Sequence, residues 1–328
     1  MTESPTGKTG CVKLGCSGCA GLVLLAILVV GTLIGVGALV GAPEPRVEET
    51  SVEQSVPPGP SVDGSAQTDS GDPVLPPGGL VPEVSEPGRV VLDLKMGEFE
   101  VVAGDGPGPI RIEGDFDTSI FEVVTEYERY GESGWIYTIR TKNKVGWYRM
   151  MFADKRQTSF VRIILPRDVP LSLEGEVGMG EVRMDLGGLW LVDTDLVAGM
   201  GEFTVDFAEP LLVPMNEFRL VSKMGEARVG GLGNASPSTV HVRHRMGAMS
   251  LGLVGAWQND VQVEGGISMG DFVVWVPDDV HVDVENMRQI IGASSVADRS
   301  MLDELDEDAP TLRLDLSGGM GSLEVRRR

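Results

Sequence analysis

Beyond residue 19 the 328-residue chain has no cysteine; Cys11, Cys16 and Cys19 are all it contains. No disulfide framework can therefore staple the remainder. Aromatic residues are scarce, at 5%, so any core has to be built mainly from aliphatic side chains. Positive charge is also in short supply. With 27 Lys and Arg against 49 Asp and Glu, the formal charge is −22. That excludes nucleic acid as a partner, because a polyanion is bound by exchanging counterions for Lys and Arg. The partners such a chain attracts are cations, cationic peptides or basic protein faces.

Catalytic signatures are missing too. No Gly-rich nucleotide loop opens a helix, and Gly7-Lys8-Thr9-Gly10 lacks the full phosphate-loop spacing. No Gly-x-Ser-x-Gly elbow occurs, and nothing calls for a cofactor.

One long apolar run stands out. "AGLVLLAILVVGTLIGVGALV", Ala20 to Val40, is uncharged and long enough to span a bilayer as a helix at about 1.5 Å per residue. Lys8 and Lys13 precede it, and Glu44, Glu48 and Glu49 follow it against Arg46. The positive-inside rule then predicts a cytoplasmic N-terminus and an extracytoplasmic bulk. A cleaved signal peptide, with Val36-Gly37-Ala38 as its small-residue site, is the rival reading.

The cysteines precede the apolar run, so they make no lipoprotein signal. "CVKLGCSGC" is one ligand short of a closed zinc site. Gly31-x3-Gly35 and Gly37-x3-Gly41 have helix-pairing spacing, which would support a homodimer. The predicted organisation is a cytoplasmic tail (1–19), a membrane anchor (20–42), a disordered Pro/Gly/acidic linker (43–88) and a β domain (89–328). The linker's composition cannot bury enough apolar surface to offset chain entropy. Within the β domain, residues 103–170 read as inserted cap strands that cover its first end.

The β domain repeats itself. "KMGEFEV" from Lys95 recurs as "GMGEVRMDL", "GMGEFTVDF", "KMGEARV", "SMGDFVVWV" and "GMGSLEV", with "RMGAMSLGL" a looser copy. The motif methionines are Met96, Met179, Met200, Met224, Met246, Met269 and Met320, and from Met179 to Met269 the gaps are 21, 24, 22 and 23. A period of that size marks a stacked-repeat architecture. Helical repeats are excluded, because the segments between motifs alternate in steps of two and are punctuated by Gly and Pro.

The apolar parity also flips at each motif: Leu92 and Leu94 lead to Met96, whereas Phe99 and Val101 follow it. Strand side chains alternate faces, so a flip requires a corner or bulge, and glycine supplies the backbone freedom for one. The prediction is an all-β fold: a β-solenoid of stacked 21–24-residue coils, about 4.8 Å apart. Each methionine, sharing parity with the leucines before it, is expected to point inward and rest on that of the next coil. At the far end Val284 to Pro310 reads as an expanded loop. Arg326, Arg327 and Arg328 then close the last strand, charges expected to discourage end-to-end pairing.

In-register stacking would place Glu181, Glu202 and Glu226 in an outward column, with Asp271 two coils further on. Like charges that close repel, so Arg183 and Arg228, solvent, or an oxygen-ligated Ca²⁺ must offset them. His241 and His244 are three residues apart, so they should face opposite ways, each satisfied or exposed.

The stretches "LPRDVPLSLEGEVGMGEVRMDLGGLWL" and "VGGLGNASPSTVHV" resemble bacterial putative-adhesin solenoids. They also resemble the toast-rack-like domains related to the cell-wall-active-antibiotic response proteins. The likeness runs from about Arg89 to Arg328, with Met where that group more often has Ala or Ser between glycines. It implies a β-solenoid tethered to a membrane and displayed outside that membrane, and no catalytic residues carry over. The functional expectation is a non-catalytic structural, adhesion-like or envelope-sensing role, with an envelope protein or polymer as partner. The alternative is a polysaccharide-active β-helical lyase or hydrolase, which would need aromatics aligned along a groove.

Overall fold

The computed structural model describes residues 86–116, 118, 121–131, 134–144, 160–296 and 309–328. The apolar segment 20–42, the three cysteines, the paired glycines, the linker up to residue 85 and the stretches 145–159 and 297–308 lie outside those residues. Among the described residues no helix is long and apolar enough to cross a membrane.

The described chain is all-β, with one short helical turn. Its strands are β1 (Gly88–Ala103), β2 (Arg111–Asp115), β3 (Phe121–Tyr130), β4 (Gly134–Asn143), β5 (Phe160–Leu165), β6 (Leu171–Asp185), β7 (Leu191–Asp206) and β8 (Glu217–Gly230). After α1 (Leu232–Ala235) come β9 (Thr239–Gly252), β10 (Val261–Val276), β11 (His281–Val296) and β12 (Thr311–Arg327). The long strands stack in parallel in the order β11-β12-β10-β9-β8-β7-β6-β1, and β4 and β3 continue the sheet beyond β1.

The alternation read from the sequence sets the packing. In β7, Leu196 and Ala198 are buried before the motif and Phe203 and Val205 after it, so the parity flip is real. The ladder shows where it occurs. Pairing between β7 and β8 passes from Ala198↔Ser222 directly to Met200↔Met224, skipping one residue on each strand. The same skip recurs between β6 and β7 and between β9 and β10.

Gly201 shows why the corner is glycine. Its φ is 131°, and a Cβ there would lie 1.9 Å from the carbonyl oxygen of Gly180 on the next strand. An L side chain is therefore opposed twice, by its own backbone and by the neighbouring coil.

The inward columns form one aliphatic core. Val90, Leu92, Leu173, Leu196, Leu220, Val242, Val263 and Leu314 line one side of the corner, and Phe99, Val182, Phe203, Phe272 and Leu323 the other. Return segments add Leu186, Phe207, Leu211 and Leu253. Phe207 meets Phe218 edge-on with ring centroids 6.0 Å apart.

At the β1 end the insert covers both arms of the first coil. β4 pairs in parallel with Arg89–Asp93, β5 pairs in parallel with Glu98–Ala103, and β3 and β2 add antiparallel to β4 and β5 respectively. Thr141 Oγ1 accepts the amide N–H of Lys95 at 2.8 Å, anchoring β4 beside the β1 corner.

The other end corrects the sequence reading. Val284 to Val296 is no loop; it belongs to β11, a strand paired with β12 on both sides of a one-residue bulge between Val284 and Asn286, with Ile291 opposite Met320 and Gly292 opposite Gly321. This is an eighth repeat, with Ile-Gly in place of Met-Gly, 22 residues after Met269. The C-terminal strand β12 lies inside, between β10 and β11, so the arginine triplet does not guard the end of the stack. Arg326 instead lies over the ring of Trp275, 5.4 Å from its centroid, and Arg327 stands 3.8 Å from Asp278.

Burial explains the order. β12 offers Leu312, Leu314, Leu316, Leu323 and Val325 to the core, all buried. The matching β11 residues are Val282, Val284, Met287, Ser294 and Val296, a poorer set. The strand with more apolar area to bury takes the interior.

Candidate interaction surface

The motif methionines are outside. Met179, Met200, Met224, Met246, Met269 and Met320 are 40–47% exposed, which corrects the expectation of an internal column. The reason is the skipped residue. The chain turns before the methionine, so Met200 sits on the outer side of the bend although it shares parity with Leu196 and Ala198. Register aligns Ile291, Met320, Met269, Met246, Met224, Met200, Met179 and Met96 in that order. At about 4.8 Å between neighbouring strands, they form one apolar ridge along the stack.

Two residues further on, the same register lines up Glu98, Glu181, Glu202 and Glu226, then Ala248, Asp271 and Ser322. The three predicted carboxylates Glu181, Glu202 and Glu226 are thus neighbours, and Asp271 is set apart by Ala248.

Arginine offsets their repulsion. Arg183 reaches Glu181 on its own strand and Glu98 across the ladder at 3.7 Å. Arg228 lies 2.5 Å from Glu226 and 3.2 Å from Glu202. Each guanidinium therefore bridges two coils. These pairs are solvent-exposed, so each contributes at most about 1 kcal/mol. Ser322 Oγ donates to Asp271 at 2.6 Å. Among the described residues no group of three His, Cys, Asp or Glu side chains is placed to hold a metal ion. The surface is thus a thioether ridge flanked by a stripe of five carboxylates and two guanidinia.

The histidines do face opposite ways. His241 is half-exposed, with Nδ1 3.1 Å from Glu264 and Nε2 3.9 Å from Glu217. His244 departs from the expectation of a satisfied or exposed ring. It lies in the core column between Ser222 and Ile267, is 1% exposed, and among the described residues neither ring nitrogen has a well-formed hydrogen bond, only the nearby backbone of Gly225 and Met246. Burial holds its pKa below the ordinary imidazole value, outweighing the nearby backbone of Gly225 and Met246.

The sign of the pH effect follows. Above about pH 6.5 the ring is neutral both folded and unfolded and contributes no pH dependence. Below it the unfolded chain binds a proton that the folded chain resists, so stability falls until the folded pKa is passed. The melting temperature of the parent protein should therefore drop more steeply than that of His244→Leu between pH 6.5 and acid. Parallel curves would show that the ring protonates freely in the fold.

Among the described residues, Trp135, Trp190, Trp257 and Trp275 are not register neighbours of one another. Trp135 and Trp257 are buried, and Trp257 Nε1 donates to the Leu253 carbonyl at 2.6 Å. Trp275 lies under Arg326, and Trp147 is outside the described residues.

Comparison with known proteins agrees with the β architecture. Residues 83–225 match the family described as the N-terminal domain of toast_rack, DUF2154. That match stops at Gly225, short of the Arg328 to which the sequence resemblance extends. Among curated proteins no relative matches the chain.

A solved structure of a "putative cell adhesion protein" from Clostridium sporogenes is 12% identical, covering 86% of this chain and 100% of its own, with a TM-score of 0.42. A "putative adhesin" from Bacteroides fragilis is 10% identical over 73% of this chain and 94% of its own, at a TM-score of 0.21. A "putative lipid binding protein" from Parabacteroides distasonis is 11% identical over 75% and 94%, at 0.25. At such scores these structures add nothing to the functional reading, which rests on the toast-rack match to 83–225 and on the surface itself.

Proposed function

We propose that the protein is a membrane-anchored, extracytoplasmic β-solenoid with a non-catalytic role: it presents its corner ridge to an envelope protein or polymer. The observation that carries this reading is the exposed methionine column. Six half-exposed thioethers in one line are an apolar surface that a soluble protein would otherwise bury, and such surfaces, rimmed by charge, mark contact sites. Methionine suits the task because its flexible, polarisable side chain adapts to a partner's contour. The acidic stripe beside it adds selection for a basic rim on that partner. Anchorage is supported by the apolar run 20–42 with lysines before it and acids after it, and the linker 43–88 would hold the β domain away from the bilayer.

The test is a triple substitution, Met200→Ser, Met224→Ser and Met246→Ser. Because these side chains are on the surface, each should change stability by less than about 0.5 kcal/mol. The protein captured by the parent from its native membrane should be lost from the triple variant. Unchanged capture would move the contact away from the ridge. Severe unfolding would mean the methionines serve the fold instead.

A further inference from the structure

The two ends of the stack are finished differently. At one, the insert covers β1, and the outermost strand, β3, carries Glu122, Glu126, Glu128 and Arg129, all exposed. Charges on an edge strand oppose pairing with another chain. At the other end, no described strand pairs with the outer edge of β11, and Gln289 to Val296 contains neither charge nor proline.

The β11 corner is also unlike the others. Where other coils have Lys, Arg, Ser or Gly followed by Met, β11 has Ile290 and Ile291, exposed by 81% and 59%. Branched, stiff side chains replace thioethers only on the last coil. Gln289 holds this corner open-faced: its Nε2 donates to the Ile291 and Gly321 carbonyls, each at 3.1 Å.

We infer that this edge is an interface between two copies of the chain, β11 pairing antiparallel with β11 of a second copy about a two-fold axis through the corner. Any strand that continues the ladder over both arms must bend where β11 bends. A second β11 does so only with the corners superposed. Parallel, head-to-tail stacking would need the β1 end of the second copy, which the insert already covers.

Superposed corners place the arm before the bend against the arm after it, so the register is fixed. Matching the inward faces, whose parity flips at the corner, puts the axis between residues 290 and 291: Ile290 faces Ile291 of the other copy, Arg288 faces Ala293 and Met287 faces Ser294. No like charges are opposed along that stretch, and the isoleucines of both copies gather at the axis. The contact is isologous and closes at two chains. It depends on neither the methionine ridge nor the membrane segment.

The test uses the full chain in detergent, with Cys11→Ser, Cys16→Ser and Cys19→Ser as background. Sedimentation should give the mass of two chains. Mild oxidation should couple chains carrying an added Ile290→Cys to chains carrying an added Ile291→Cys and leave Val296→Cys uncoupled, because residues 290 and 291 face each other beside the axis. Ile290→Lys with Ile291→Lys should restore the single-chain mass with unchanged circular dichroism, since both residues are exposed. A single-chain mass for the parent overturns the inference, and so does a two-chain mass that survives the lysines. Coupling at 296 in preference to the 290–291 pair also overturns it.

Discussion

Gly201→Ala should destabilise the stack by about 2–6 kcal/mol. Two costs combine. A residue with a Cβ held at a φ of 131° is strained by about 1–3 kcal/mol. The new methyl also points at the Gly180 carbonyl oxygen, 1.9 Å away, and relieving that overlap costs about 1–3 kcal/mol more. Backbone, not a flexible side chain, is what would have to move. The same carbonyl column continues through Gly225, Gly247 and Gly270, so the displacement cannot be absorbed by one coil. Denaturant unfolding of parent and variant measures it, and a loss under about 1 kcal/mol would show that the corner tolerates a side chain.

Phe218→Ala should cost about 3–5 kcal/mol, by loss of buried area and by the cavity left behind. Phe218 is fully buried in β8 and packs edge-on against Phe207. With aromatics at 5% of the chain, few neighbours are large enough to collapse into the space. In a double-mutant cycle, Phe207→Ala and Phe218→Ala should couple by about 0.5–1.5 kcal/mol, the ring–ring contribution beyond area alone. Strict additivity would mean that the two rings stabilise the core independently.

Much of this architecture was legible because the repeat is written in residues that backbone geometry demands. The glycine at each bend, the flip from Leu94 to Phe99 and the near-constant spacing from Met179 to Met269 all follow from a parallel ladder turning a corner. The in-register carboxylates Glu181, Glu202 and Glu226 followed from the same arithmetic.

The side of the bend on which Met200 falls did not. Parity counts residues and cannot see that the ladder skips one, and methionine's hydrophobicity argued for the inside. His244 misled for a related reason: its polarity argued for a partner, whereas its parity with Val240 and Val242 placed it in the core column. The order of the last strands is a competition between two segments with the same period. It is settled by the leucines of β12 against the serine and valines of β11, a comparison that spacing does not make.

That order has a consequence for synthesis. β11 is synthesised before β12. In the finished molecule β10 and β11 do not pair, because β12 lies between them. In that order β11 docks only on β12, which is made after it, so the order of synthesis is not the order of stacking: the stack is completed by wedging, not by winding. A chain that ends before Thr311 lacks the strand on which β11 docks in the folded protein.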